Sequence, residues 1–234
     1  MKRALILFFL WAQSAASAAV TGNVVLANPD GSIAKKSDNA GIVVWLEPVG
    51  APVPAPTASS KMATMDQRNQ TFFPHVLAVQ AGTAVDFPNS DPIFHNAFSN
   101  YEGQVFDLQL YAPKTSRRVV FRRPGMVHVF CNVHESMSAV IAVVPTPYFA
   151  VTGADGRFQI QAPAGSYRLQ VWHERGQPDT LSRLEQRIMV GSEDVKVPEI
   201  QIRPGGSQSS HANKYGQPYF STSDAHTYYP GGRH

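Results

Sequence analysis

The 234-residue chain contains a single cysteine, Cys131, so no internal disulfide can form. Charge is scarce at 16% of residues, below the usual quarter, which excludes a polyelectrolyte or a long solvated coiled coil. Long apolar runs are missing as well. The Ala4 to Trp11 run is far short of the roughly 20 residues that a membrane-spanning helix needs. What the chain does have is punctuation: 18 prolines and 17 glycines. Short strands joined by turns are therefore predicted in preference to helices.

Lys2 and Arg3 precede the apolar run, and Ala16-Ser17-Ala18 follows it as an A-x-A cleavage motif. This order predicts a secretory signal over 1–18, a mature chain starting at Ala19, and a periplasmic location. Without Lys2 and Arg3 the formal charge of +3 falls to +1, so nucleic-acid binding loses its electrostatic support. No membrane anchor is expected, and no cysteine sits at the cleavage motif to accept a lipid.

The segments VTGNVVL (20–26) and IVVWL (42–46) read as strands around the Pro29-Asp30-Gly31 turn. APVPAPTASS (51–60) forms a connector and a domain boundary. Between about 59 and 146, short alternating runs with regular turns predict a β-sandwich. In one strand Val127, Val129 and Cys131 share a face, and His128 and Phe130 share the other. A second β pattern runs over 147–203, in which 181–190 reads equally as a short helix or a strand. Residues 204–234 hold no aliphatic side chain larger than alanine and are expected to form a disordered tail.

The segment CNVHESM places Cys131, His134 and Met137 at C-x2-H-x2-M spacing, and His95 lies in the loop FPNSDPIFHNAFS. A thiolate, two imidazoles and one thioether suit copper in both oxidation states, with a weak axial methionine favouring Cu(I). A strand end followed by a short turn folds His134 and Met137 back toward Cys131. Zinc is the sharper rival for such a set, although methionine is a poor zinc ligand. An inert buried thiol is the plainer one.

These motifs resemble those of the cupredoxins, closest to the amicyanin and plastocyanin-like group, over about residues 61–146. The whole chain also looks like bacterial plastocyanin-like proteins labelled as methylamine-utilisation proteins. The resemblance implies a Greek-key β-sandwich with a type 1 copper ion on His95, Cys131, His134 and Met137. Asn96 matches the family's His-Asn pair, whose amide ties the two ligand loops together. The flanking segments VTGNVVLANPDG and DGRFQIQAPAGSYRLQVWHE resemble a carboxypeptidase-regulatory, transthyretin-like sandwich. That implies a second, discontinuous domain over 19–58 and 147–203, with the copper domain at 59–146 inserted into it.

The chain lacks the features that oxidase chemistry needs. Phe130 stands where multicopper oxidases carry a histidine before the cysteine, no H-x-H pair occurs, and a binuclear centre requires a second cysteine. The expectation is electron carriage without substrate turnover, with a redox protein of cytochrome or dehydrogenase type as partner. The alternative is a copper-binding module for storage, delivery or sensing with the same ligands. His75 and the tail histidines His211, His226 and His234 are secondary candidates for contact with the metal. Arg117, Arg118, Arg122 and Arg123 read as a charged sheet edge.

Overall fold

The computed structural model of the chain describes residues 17–28, 30–33, 38–55, 62–100, 103–205 and 213–217. Two β-sandwiches account for nearly all of them. In the first, strand Ser17–Leu26 pairs antiparallel with Arg157–Pro163 and parallel with Val195–Lys196 and Ile200–Ile202. The facing sheet runs in the order Phe149–Val151, Val43–Pro48, Gly165–Trp172, Gln186–Val190. Val20, Val24, Val44, Leu46, Ile160 and Leu169 fill the space between the two sheets. Strands from both ends of the chain thus build one unit, and the middle of the chain builds another.

That middle unit has a sheet ordered Ser116–Phe121, Thr83–Pro88, Ala63–Thr64. The sheet facing it is ordered Val76–Gln80, Ser138–Val144, Gly125–Phe130, Phe98–Ser99, Phe106–Asp107. Phe72, Val85, Phe87, Phe121, Val127, Val129 and Ile141 are buried between them.

Two strands explain how the units meet. In Val43–Pro48, Val44 and Leu46 face their own core, while Val43 and Trp45 face the opposite way and pack with Val76, Ala142 and Val144. In Ser138–Val144, Ala139, Ile141 and Val143 point into the middle unit's core, and Ala142 and Val144 meet Trp45. Both strands are buried on both faces, so their sequences are unbroken apolar runs without alternation.

A polar contact adds to this apolar seam. His75 Nε2 lies 2.7 Å from Glu174 Oε2, and its Nδ1 lies 3.1 Å from the Ser138 carbonyl. The hydrogen bond to Glu174 raises the His75 pKa; burial opposes it, and the Glu174 charge adds to it. A raised histidine stabilises the fold fully below the ordinary histidine value and loses that contribution as pH climbs through the raised one. The stability gap between wild type and Glu174→Gln is therefore expected to be widest near pH 6 and to close by about pH 9. Thermal unfolding across this range checks it; a gap that widens with pH contradicts it.

Three details differ from the sequence reading, and one agrees with it. Strand Ser17–Leu26 begins at Ser17, with Ala18 buried opposite Ala162, so Ser17 and Ala18 of the A-x-A motif are strand residues. The ambiguous 181–190 stretch divides into the end of a short helix, Pro178–Ser182, and strand Gln186–Val190. In the expected tail, Gly205 donates its N–H to the Arg175 carbonyl at 2.8 Å, and Asn213–Gln217 forms a folded turn. Arg118 pairs with Asp86 across the sheet at 2.5 Å, as a charged edge residue does.

Candidate metal centre

Cys131 follows strand Gly125–Phe130 directly. Alternation places it with Val127 and Val129 in the core, while His128 stacks on Phe130 on the other face at 6.3 Å. The Cys131 N–H donates to the Met137 carbonyl at 3.0 Å, and the Met137 N–H donates to the His134 carbonyl at 3.1 Å. These two bonds close the loop, so the C-x2-H-x2-M spacing becomes a compact turn. Met137 is fully buried in the same core as Cys131.

His95 reaches the cluster from a separate loop. Its backbone bridges to Tyr111: the Tyr111 N–H donates to the His95 carbonyl at 2.9 Å. The Tyr111 hydroxyl in turn donates to the Phe87 carbonyl at 2.9 Å and also meets the Gln67 amide. The Asn132 N–H donates to Asn96 Oδ1 at 2.7 Å, stitching the His95 loop to the Cys131 loop.

Cys131 Sγ lies 3.7 Å from His95 Nδ1 and 3.8 Å from His134 Nδ1. Metal bonds of about 2.0 Å to nitrogen and 2.3 Å to sulfur, meeting at about 120°, separate the two donors by about 3.7 Å. The two sulfur–nitrogen separations are therefore those of donors that share one ion. All three ligand atoms lie within 4.8 Å of one another, and no other group of three such side chains converges in this way among the described residues.

One participant is not signalled by the sequence. Asp91 is buried, and its Oδ2 lies 2.8 Å from His95 Nε2. The carboxylate also accepts the N–H groups of Asn69 at 2.6 Å and Gln70 at 2.8 Å. Asn69 and Gln70 stand at φ 54° and 53° in the turn joining Asp66–Arg68 to Thr71–Phe73. This left-handed turn, rarely occupied by residues other than glycine, aims both donors at Asp91. A carboxylate at Nε2 keeps the proton there and leaves the Nδ1 lone pair facing the sulfur. The only trace in the sequence is an aspartate four residues before a histidine.

No family model matches the chain. A stretch of 59 residues is 41% identical to methylamine utilization protein MauL of Methylorubrum extorquens, covering 25% of this chain and 52% of that protein. The chain thus spans about half the length of this curated relative. Among solved structures, a purple cupredoxin from Nitrosopumilus maritimus is 22% identical at a TM-score of 0.33, matching 35% of this chain and 99% of its own. A reduced mutant of amicyanin is 16% identical at 0.34, over 37% of this chain and 87% of its own. The copper-containing nitrite reductase of Thermus scotoductus is 25% identical at 0.35, over 42% of this chain and 25% of its own.

The fold is all-β, and the candidate centre stands at the end of a strand of the middle sandwich.

Within this sandwich the electrostatics suit metal capture. Burial pushes the Cys131 thiol up, and the backbone N–H groups of Asn96, Val133 and His134 pull it back in part. Those N–H groups favour a thiolate at a position where burial alone disfavours it. His134 is pushed down by burial and then by neighbouring His95, so it is neutral and has a free lone pair at pH 7. Burial raises the Asp91 carboxyl, but the Gln70 N–H, His95 and the Asn69 N–H together bring it below the ordinary value. His95, Cys131 and Met137 are fully buried; His134 alone of the four is partly exposed, next to the exposed Val133.

Of the secondary candidates, His75 is engaged with Glu174 and Ser138. His211, His226 and His234 fall outside the described residues.

Proposed function

We propose that His95, Cys131 and His134 hold one type 1 copper ion, with Met137 as the weak axial ligand, and that the protein carries single electrons between redox partners. The observation behind this reading is the placement of two imidazole nitrogens 3.7 and 3.8 Å from one buried sulfur. Copper bound there supplies a one-electron couple. The chain supplies rigidity: the sheet fixes Cys131, Asn96 ties the loops together, and Asp91 locks the His95 ring. Ligands that stay in place when the metal charge changes keep the reorganisation cost of electron transfer low. The partly exposed ring of His134 is the contact through which electrons pass.

The partner is a redox protein of cytochrome or dehydrogenase type. The name of the MauL relative supports a place in methylamine utilization, and a periplasmic protein released from its signal segment fits that setting. No helix among the described residues is long and apolar enough to cross a membrane. The second sandwich serves docking or stability.

Repeated redox cycling of the copper-loaded protein separates carriage from delivery. A carrier passes through reduction by ascorbate and reoxidation by ferricyanide with its copper retained. Loss of the metal to a Cu(I) chelator on the first reduction identifies a delivery or storage module instead.

A further inference from the structure

Asn213 lies beyond the last strand, in a stretch poor in aliphatic residues, yet it is only 6% exposed. Its side-chain oxygen accepts the N–H groups of Tyr215 at 2.9 Å and Gln217 at 3.1 Å. The Gly216 N–H, at φ 76°, donates to the Asn213 carbonyl at 2.9 Å. The turn is closed by its own polar groups and needs no apolar core of its own.

Lys214 fastens this turn beside the metal centre. Its backbone N–H donates to Asn132 Oδ1 at 3.0 Å, and its ammonium lies 2.9 Å from Asp107 Oδ2 and 3.5 Å from Gln109 Oε1. Asn132 is the residue immediately after Cys131, and its own N–H is the one held by Asn96. The turn therefore grips the residue that joins the two ligand loops, and anchors it to strand Phe106–Asp107. Upstream, the chain leaves the flanking sandwich at Pro204, which bridges to Gly176.

We propose that Asn213–Gln217 is a latch on the ligand loop, restraining the loop motion through which copper enters and leaves. The latch rests on the copper reading for its purpose, but its grip on the loop is measurable without metal. Two variants test it: Lys214→Ala, and a chain ending at Gly205. Lys196→Ala, an exposed lysine of the flanking sandwich, is the control.

In the Cu(I)-loaded full-length protein, Lys214→Ala is expected to speed copper transfer to an excess of chelator by about three- to tenfold. The shortened chain releases at least as fast, Lys196→Ala releases at the wild-type rate, and added salt moves wild type toward Lys214→Ala. In metal-free protein, amide hydrogen exchange over 132–135 rises in both test variants. If the shortened chain does not fold, Lys214→Ala alone decides. Wild-type rates of both copper transfer and amide exchange in Lys214→Ala overturn the latch. A protein that takes up no copper but shows faster exchange in Lys214→Ala overturns the copper reading and keeps the grip.

Discussion

Cys131→Ser is expected to eliminate the intense visible absorption of the copper protein and to lower copper affinity by at least about two orders of magnitude. Serine is close in size to cysteine, and three backbone N–H groups already point at this position. The hydroxyl oxygen therefore finds donors, and burying it costs about 1–3 kcal/mol at most. The fold survives while the metal site fails, because a hydroxyl does not ionise at neutral pH to replace a thiolate. The two histidines that remain form a weak, nearly colourless copper site. Absorption and electron paramagnetic resonance spectra of the variant loaded with one equivalent of Cu(II) check this; an unchanged strong band would show that Cys131 is not a ligand.

Asp91→Asn carries the second large effect. Aspartate serves three donors, the N–H groups of Asn69 and Gln70 and the His95 ring. One amide oxygen cannot satisfy all three, and the new NH2 group faces a donor. The negative charge is lost too, and it favours the more highly charged Cu(II). Removing such an outer partner of a ligating histidine lowers metal affinity by about 10–100-fold. A loss confined to Cu(II) raises the reduction potential by about 60–120 mV, at about 59 mV per tenfold for one electron. Voltammetry of both proteins tests the direction, and nitrogen NMR of the metal-free variant reports whether the His95 proton leaves Nε2. A potential that is unchanged or lower contradicts the assigned role.

The sequence carries the fold well where one physical signal dominates. Alternation at 127–131 correctly divided Val127, Val129 and Cys131 from His128 and Phe130. The unbroken runs at 42–46 and 140–144 are strands buried on both faces. Three of the proposed ligands were legible because they follow one strand within seven residues. His95 joins them as the second imidazole that the donor set calls for, from a loop 36 residues earlier, and the structure brings it to 3.7 Å from the sulfur.

What was missed depends on contacts without a sequence period. Asp91 meets His95 through an irregular proline-containing loop, and its other partners lie some twenty residues earlier in a left-handed turn. Asn213–Gln217 was assigned to a disordered tail because that judgement weighs apolar burial, whereas the turn is held by hydrogen bonds and one ion pair. Ser17 and Ala18 satisfy a cleavage motif and a strand equally, since small residues suit both.

The most direct measurement is the metal content and absorption spectrum of the full-length protein produced with copper and zinc both available. The account predicts one copper per chain and an intense band at about 600 nm that bleaches on reduction and returns on reoxidation. Zinc alone, no bound metal, or a Cu(II) protein without that band would contradict it.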